Sequence, residues 1–153
     1  MTKILFICHG NICRSPLAEF LMKDKLEKQG LEGKVEVKSS GTSYEEIGNP
    51  VYPPIMRILN GLNINCSNKR SEKLLEKDYG NYDFFICMDE RNVKNTLKIF
   101  NGDKENKVYK LLDFVGGGDV ADPYYYGGYD KTFSDVDIGT DAFIKFLKDN
   151  NYL

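Results

Sequence analysis

Short apolar runs alternate with amphipathic stretches along most of the chain. Runs of this kind are typical of strands buried on both faces of a parallel sheet, and they are too short for ordinary helices. We therefore predict four strands, which cover residues 3–8, 35–39, 82–88 and 108–112.

The stretches between these strands carry apolar residues at helical spacing. Leu17, Leu21 and Leu26 form one such stripe, which predicts a helix that starts at Pro16 and ends near Gly30, a residue suited to a helix C-terminus. The same spacing predicts helices over residues 55–60, 89–100 and 136–147 and a short helical segment at Leu74 and Leu75. We predict loops over residues 41–54 and 115–130.

Strands that alternate with helices predict an α/β fold. We expect a four-stranded parallel sheet flanked by helices, a three-layer sandwich of the Rossmann-like type with right-handed crossovers. Ligands of such sheets bind beyond the carboxyl ends of the strands. The candidate ligand-binding loops therefore follow Cys8, Ser39, Met88 and Leu112.

Composition narrows the class of protein further. The chain has 153 residues, of which 41% are hydrophobic and 29% charged, as expected for one globular domain spanning residues 1–153. A net charge of −2 disfavours nucleic acid as the main partner, because phosphate backbones bind clustered positive charge. The longest apolar runs are far shorter than the about 20 residues of a membrane helix. We expect a cytoplasmic protein that does not bind membranes.

The counts of metal-ligating residues are low. The chain has one His and four Cys, at positions 8, 13, 66 and 87. A single His excludes a site with several histidines, and the Cys spacings do not fit a zinc site. We expect no metal and no cofactor.

The strongest chemical signal is the loop after the first predicted strand. It reads Cys8-His9-Gly10-Asn11-Ile12-Cys13-Arg14-Ser15-Pro16. Ser15 and Pro16 predict a helix start, with Ser15 as the cap and Pro16 at the first helical position. The free amides of a helix start attract anions. Gly10 and Asn11 tolerate left-handed backbone, which lets successive amides turn inward, and Arg14 adds a fork for two phosphate oxygens.

These groups would surround Cys8 with positive charge. Such surroundings stabilise a thiolate, the nucleophilic form of cysteine, and the Ser15 hydroxyl is placed to hydrogen-bond the sulfur. The loop therefore predicts an oxyanion site with a thiolate at its base. The alternative is a buried structural Cys8 with an Arg14 that only pairs with a carboxylate.

Attack of a cysteine thiolate on a phosphate monoester expels an alkoxide or phenoxide, and this leaving group requires a proton donor. His9, the only His, lies beside Cys8 on the wrong side for in-line protonation, so a carboxyl group from another loop is the natural acid. Asp122 follows the fourth predicted strand, at the ligand end of the sheet. On the residues alone, Asp113 and Asp119 are nearly as plausible.

The loop from Cys8 to Pro16 resembles the phosphate-binding loop of the low-molecular-weight protein tyrosine phosphatases. The resemblance spans nearly the whole chain and includes Ser40-Gly41-Thr42, Ile47-Gly48, Cys87-Met88-Asp89 and Asp122-Pro123-Tyr124-Tyr125. It implies the fold of this family and a phosphatase that hydrolyses phosphotyrosine in proteins and small aryl phosphates through a thiophosphoryl-cysteine intermediate. It also implies Cys8 as nucleophile, Arg14 as phosphate ligand and Asp122 as acid.

The resemblance further implies a substrate groove. Its walls would be Tyr124 and Tyr125 on one side and Tyr44 or Glu45 on the other, where the family usually has an aromatic residue. Ile12 favours phosphotyrosine over phosphoarginine, because members specific for phosphoarginine tend to carry Thr there. The predicted substrate-binding residues are His9, Gly10, Asn11, Ile12, Cys13, Ser15, Tyr44, Glu45, Tyr124 and Tyr125.

Two further implications concern support and redox chemistry. The family usually has a His that braces Asn11, whereas this chain has Cys66 or Ser67 near that position. Cys13 is implied to form a reversible disulfide with Cys8, which would protect the nucleophile from over-oxidation. Cys66 and Cys87 are expected to be packing residues.

Three other functions remain open. An arsenate reductase shares this architecture but needs additional cysteines late in the chain, and none follows Cys87. A phosphoarginine phosphatase and a non-catalytic phosphate-binding module are the others. We expect a monomer or a weak dimer, since the tyrosines near Asp122 would permit self-association.

Overall fold

Four parallel strands form one sheet in the computed structural model, which describes the backbone of the whole chain and every side chain except that of Tyr126. The strands are β1 (Thr2–Cys8), β2 (Val35–Gly41), β3 (Phe84–Cys87) and β4 (Val108–Lys110), in the order β2-β1-β3-β4. All neighbours pair in parallel. The α/β sandwich expected from the alternation of strands and helices is confirmed.

Helices cover both faces of the sheet. They are α1 (Arg14–Lys28), α2 (Pro53–Gly61), α3 (Glu90–Phe100), α4 (Pro123–Tyr126) and α5 (Asp130–Asp149), with 3₁₀ turns at Glu32–Lys34, Glu76–Asn81 and Leu111–Val115. Alternate residues of β1 point to opposite sides: Ile4 and Phe6 pack in the larger core against α1 and α5, whereas Leu5 and Ile7 pack in a smaller core that contains Phe100 of α3.

The segment at Leu74 and Leu75 was predicted to be helical, and that prediction is wrong. Leu74 is extended and fully buried in the smaller core, and its amide donates to the carbonyl of Gly41 at 2.8 Å. The extended backbone places one leucine in the core and leaves Leu75 largely exposed. The 3₁₀ turn begins only at Glu76.

Other boundaries shift by a few residues. The third strand is shorter than predicted, and the fourth ends at Lys110, where the chain enters a 3₁₀ turn. The helix α2 begins at Pro53, because proline suits the first helical turn, where no amide partner is required. The predicted loop over residues 115–130 contains α4.

The carboxyl ends of the strands carry the loops that matter for function. β1 leads into residues 9–13, β2 into residues 42–52, and β3 into the start of α3. In the described part of the chain, no helix is both long and apolar enough to cross a membrane.

Candidate active site

Asn11 organises the loop between β1 and α1. It adopts a left-handed conformation (φ 58°), which asparagine tolerates better than most residues. Its buried side-chain amide donates to the hydroxyls of Ser15 and Ser39, both at 2.9 Å, and its carbonyl accepts the amide of Glu72 at 2.9 Å. One side chain thus joins the loop to α1, to β2 and to the segment before the Glu76–Asn81 turn.

The sulfur of Cys8 lies at the base of this loop. Its Sγ is 2.9 Å from the hydroxyl of Ser15 and accepts the backbone amide of Asn11 at 3.3 Å. The Cys8 side chain is almost fully buried, yet it borders the cavity described below.

Ser15 does not cap the helix, contrary to the sequence prediction. Helix α1 begins two residues earlier than predicted, at Arg14, and the first helical bond joins the amide of Leu17 to the carbonyl of Cys13. Ser15 therefore lies within the first turn, fully buried, and its hydroxyl faces back towards Cys8 and Asn11. Pro16 also lies in this turn, where its missing amide costs no hydrogen bond.

Arg14 connects the loop after β1 to two other segments of the chain. Its Nη1 donates to the carboxylate of Asp89 at 2.8 Å and to the carbonyl of Val120 at 3.1 Å, and its Nη2 lies 3.6 Å from Asp122 Oδ2. Burial acts to lower the pKa of Arg14, but the negative charges of Cys8, Asp89 and Asp122 outweigh it and raise this pKa. The guanidinium is therefore held charged and fixed beside Cys8.

The three candidate acids have different surroundings. Asp122 is one-third exposed and accepts the amide of Tyr124 at 3.0 Å, which caps α4. Asp119 is tied to Lys110 Nζ and to the amide of Glu90, both at 3.1 Å. Asp113 accepts the amide of Lys110 and does not line the cavity. Asp122 is the candidate in contact with Arg14.

A cavity of about 560 Å³ opens above this loop. It is lined by ten of the predicted site residues: Cys8, His9, Gly10, Ile12, Cys13, Arg14, Glu45, Asp122, Tyr124 and Tyr125. Two others, Asn11 and Ser15, are buried behind the loop and support it. The loops after β1, β2 and β3 and the segment before α4 thus meet at one site.

Tyr44 is not among the residues that line this cavity. Its side chain is 73% exposed, and the ammonium group of Lys73 lies 4.6 Å from the centre of its ring. This cation–π contact holds the ring away from the cavity. The neighbouring Glu45 lines the cavity instead, and its carboxylate lies 3.3 Å from His9 Nε2.

Sequence reasoning did not assign several residues that line the cavity. They are Glu46, Asp89, Arg91, Asn92, Val120 and Ala121. Asp119, an alternative acid on the residues alone, lines the cavity as well. The rule that ligands bind at the carboxyl ends of parallel strands already pointed to the loop after β3. That rule, applied residue by residue, would have found Asp89 and Arg91.

The brace of the loop uses no histidine. Cys66, near the position where the family usually has one, is buried in the core. Support comes instead from Ser71, whose hydroxyl donates to the carbonyl of Gly10 at 2.8 Å, and from the amide of Glu72 on Asn11. Lys69 adds a bond to the carbonyl of Ser39 at 2.8 Å. Ser71 and Glu72 are 61 residues from the groups they bind, so no local pattern revealed these contacts.

The pKa values of the Cys13, Cys66 and Cys87 thiols are raised. Burial, followed by the negative charges of Cys8 and Asp122, raises the pKa of Cys13 to about 12. Burial raises the pKa of Cys87 to about 12 and also raises that of Cys66. All four cysteines are free in the structure.

Comparisons of the sequence and of the structure with known proteins all indicate the same family. The family model described as low molecular weight phosphotyrosine protein phosphatase matches residues 3–152. The chain is 31% identical to the low molecular weight protein-tyrosine-phosphatase YfkJ of Bacillus subtilis over 100% of both chains. The crystal structure of YfkJ superposes with a TM-score of 0.93, covering 98% of this chain and 96% of that one.

Two further relatives show the range of this similarity. The low molecular weight protein-tyrosine-phosphatase PtpA of Staphylococcus haemolyticus is 37% identical, over 99% of this chain and 97% of that protein. A solved structure of the arginine phosphatase YwlE is 31% identical, with a TM-score of 0.83, and covers 96% of each chain.

Proposed function

The chain belongs to the low molecular weight phosphotyrosine protein phosphatase family, and we propose that Cys8 is its nucleophile, Arg14 its phosphate-binding group and Asp122 its general acid. As a member of this family it is a cysteine-based phosphatase, a hydrolase that acts on phosphomonoesters. The proposal concerns how this chain's own residues carry out that reaction.

In the first step the Cys8 thiolate attacks phosphorus. The bond from phosphorus to the leaving phenol oxygen breaks, and Asp122 donates its proton to that oxygen, so that a neutral phenol departs. Arg14 and the amides of residues 9–13 bind the three equatorial oxygens, where negative charge develops in the transition state.

In the second step water attacks the phosphorus of the phosphocysteine. Asp122, now a carboxylate, takes a proton from this water, the bond between sulfur and phosphorus breaks, and inorganic phosphate leaves with the Cys8 thiolate restored. One carboxyl group thus serves first as acid and then as base.

A single observation carries this assignment. Cys8, Arg14 and Asp122 line the same cavity, although Asp122 is more than 100 residues away in sequence. The guanidinium of Arg14 lies between the proposed nucleophile and the proposed acid, because it is beside the loop of Cys8 and 3.6 Å from the Asp122 carboxylate. If Cys8 had only a structural role, its cavity would not need to contain the buried, charged Arg14 and the partly exposed carboxyl group of Asp122.

The aromatic side chains at the mouth support an aryl substrate. Tyr124 and Tyr125 are 87% and 71% exposed, with ring centres 5.1 Å apart in an edge-to-face arrangement. Apolar rings in this position suit contact with a flat phenyl group. We therefore propose phosphotyrosine in proteins as the substrate class, with small aryl phosphates as simple assay substrates.

A phosphoarginine substrate is the second candidate, because one of the similar solved structures is that of an arginine phosphatase. Ile12, which lines the cavity of this chain, supports phosphotyrosine instead. Parallel assays on peptides with phosphotyrosine, phosphoserine or phosphoarginine decide between them. Faster hydrolysis of phosphoarginine than of phosphotyrosine would overturn the substrate proposal and leave the phosphatase assignment intact.

The test of the chemistry uses p-nitrophenyl phosphate and two variants. Cys8→Ser should abolish hydrolysis, and retained turnover would exclude Cys8 as the nucleophile. Asp122→Asn should lower kcat/KM most for esters with poor leaving groups, because these depend most on protonation. An equal loss of kcat/KM for all leaving groups would show that Asp122 is not the acid. Asp119→Asn, on the same loop, is the matched comparison variant.

The remaining expectations are also proposals. The match of the family model to residues 3–152 supports a single domain. We further propose a cytoplasmic protein, monomeric or weakly dimeric, that binds neither nucleic acid nor membranes and whose nucleophile is protected by Cys13. The excess of acidic residues over basic ones supports the absence of nucleic acid binding.

A further inference from the structure

Helix α5 holds the residue that precedes the proposed general acid. The backbone amide of Ala121 donates to Asp135 Oδ2 at 2.9 Å, and the hydroxyl of Thr132 donates to the carbonyl of Ala121 at 2.7 Å. Both backbone polar groups of this residue are therefore bound by side chains of α5. Thr132 is fully buried and Asp135 is 7% exposed.

The neighbouring residue is fixed in the same way by other elements. The amide of Val120 donates to the carbonyl of Met88 at 2.8 Å, and its own carbonyl accepts Arg14. On either side the chain is glycine-rich, with positive φ angles at Gly116, Gly117, Gly118 and Gly127. The contacts at residues 120 and 121 thus fix the chain between two stretches that contain glycines with positive φ.

The side chains of Thr132 and Asp135 are directed specifically to this point. Later in α5 the hydroxyl of Thr140 donates one turn back, to the carbonyl of Val136 at 2.8 Å, which is the usual local bond of a helical threonine. Thr132 instead reaches out of the helix to the loop. Asp135 uses its second oxygen to accept Lys131 Nζ at 2.7 Å, so its buried charge is paired.

We infer that Thr132 and Asp135 are positioning residues for proton transfer by Asp122. The inference rests on the proposed function, since it takes Asp122 as the general acid. Asp122 follows Ala121 directly, so a shift of Ala121 moves the attachment of the acid. A misplacement of about 1 Å can lower a rate by about a hundredfold when the group must lie within hydrogen-bond reach of the leaving oxygen.

The readout that separates positioning from stability is the dependence of kcat/KM on the leaving group. The value of kcat/KM covers the steps up to departure of the phenol. A misplaced acid slows the hydrolysis of esters of weakly acidic phenols most. The measured quantity is the ratio of kcat/KM for p-nitrophenyl phosphate to that for phenyl phosphate. The inhibition constant of inorganic phosphate reports separately on the phosphate site formed by Cys8 and Arg14.

Each positioning residue has a matched pair of variants. Thr132→Val removes the hydroxyl at constant shape, whereas Thr132→Ser retains it. Asp135→Ala removes the acceptor, whereas Asp135→Asn retains a carbonyl oxygen for the amide of Ala121. Thr140→Val, which removes a buried hydroxyl elsewhere in α5, controls for lost helix stability.

We expect Thr132→Val and Asp135→Ala to increase the ratio by about tenfold, below the change in Asp122→Asn and with little change in phosphate inhibition. Thr132→Ser, Asp135→Asn and Thr140→Val should stay near the wild-type ratio. If Asp122→Asn changes the ratio but the folded Thr132→Val and Asp135→Ala variants do not, the inference is wrong and the proposed function stands. If Asp122→Asn leaves the ratio unchanged, the acid assignment and this inference both fail. Asp135→Ala decides the matter if Thr132→Val does not fold.

Discussion

The ammonium group of Lys69 lies 3.7 Å from the carboxylate of Glu19, with the two side chains only 10% and 5% exposed. The same carboxylate accepts the hydroxyl of Ser39, which in turn accepts the amide group of Asn11. A buried ion pair is thereby connected, through two polar side chains, to the loop that carries Cys8. Burial lowers the pKa of Lys69, and the charge of Glu19 opposes that shift.

Loss of one member of this pair should impair both stability and activity. Lys69→Met removes one of the two ammonium groups beside the buried Glu19 carboxylate, and Lys23 remains paired with it. The loss should therefore lie below the about 3–5 kcal/mol that is typical of a buried charge left without any partner. We expect a lower Tm and a lower kcat/KM for p-nitrophenyl phosphate, because Lys69 also donates to the carbonyl of Ser39, the residue whose hydroxyl accepts Asn11. Thermal unfolding and steady-state kinetics measure the two effects.

The control is a double-mutant cycle. Lys69→Met combined with Glu19→Leu removes both charges, and this double variant should be more stable than Lys69→Met alone. Lys69→Arg should retain most of the activity because it keeps the charge. Additive losses from the two single changes would show that the pair is not coupled.

Gly41 should not tolerate a side chain. A Cβ atom at this position would lie 2.7 Å from the carbonyl oxygen of His9 and 3.1 Å from the amide nitrogen of Asn11, both backbone atoms of the loop. Gly41→Ala must therefore displace the loop around Cys8. We expect kcat/KM to fall by about a hundredfold, since a shift of about 1 Å in reacting groups has an effect of this size.

Gly61→Ala is the comparison variant for this prediction. Gly61 lies at the end of α2, and a Cβ atom added there would meet no side chain and no other segment of the chain within 4 Å. Alanine should leave the activity unchanged and alter stability by no more than about 1 kcal/mol. A Gly41→Ala variant with wild-type kinetics would mean that the loop does not need the close approach of β2.

The part of the site that is local in sequence was predictable, and the part that is distant was not. The apolar run of β1, the glycine and asparagine that follow it, and Arg14 are within a few residues of Cys8, so their spacing indicates an anion site directly. The prediction that Ser15 caps α1 was wrong because the helix starts two residues earlier, at Arg14. The residue pattern is compatible with both starts.

The supporting contacts arise only from the tertiary fold. Ser71 and Glu72 are 61 residues from the groups of the loop that they bind. Leu74, which was predicted to be helical, is extended because this segment hydrogen-bonds to the end of β2. Apolar spacing over two leucines cannot distinguish a helical turn from such a bridge.

The mouth of the cavity should favour substrates with a basic residue next to phosphotyrosine. Glu45 lines the cavity with a carboxylate that is 72% exposed and lies 3.3 Å from His9 Nε2. An exposed ion pair contributes up to about 1 kcal/mol. We expect kcat/KM to be several-fold higher for a phosphotyrosine peptide flanked by Lys than for one flanked by Glu, with the preference reduced at high salt.

The preference should depend on Glu45 itself. Glu45→Gln should reduce the ratio of the two peptides and leave the rate with p-nitrophenyl phosphate nearly unchanged, because this small ester has no flanking charge. Glu76→Gln, at an exposed residue outside the cavity lining, should preserve the wild-type ratio. A ratio that is the same in all three proteins would show that Glu45 does not contribute to substrate choice.

Reversible oxidation should depend on Cys13. Hydrogen peroxide converts the Cys8 thiolate to a sulfenic acid and releases hydroxide; the Cys13 thiol then attacks the sulfenic sulfur, which forms a disulfide and water. The pKa of Cys13 is held at about 12 by burial and by the charges of Cys8 and Asp122, so Cys13 stays protonated at neutral pH and Cys8 is the group oxidised first.

Peroxide-inactivated wild type should recover its activity with dithiothreitol, and its mass before reduction should show the loss of two hydrogen atoms. Cys13→Ser should be inactivated irreversibly and gain oxygen atoms on Cys8, whereas Cys66→Ser should recover like wild type. Full recovery of Cys13→Ser would exclude Cys13 as the protecting thiol.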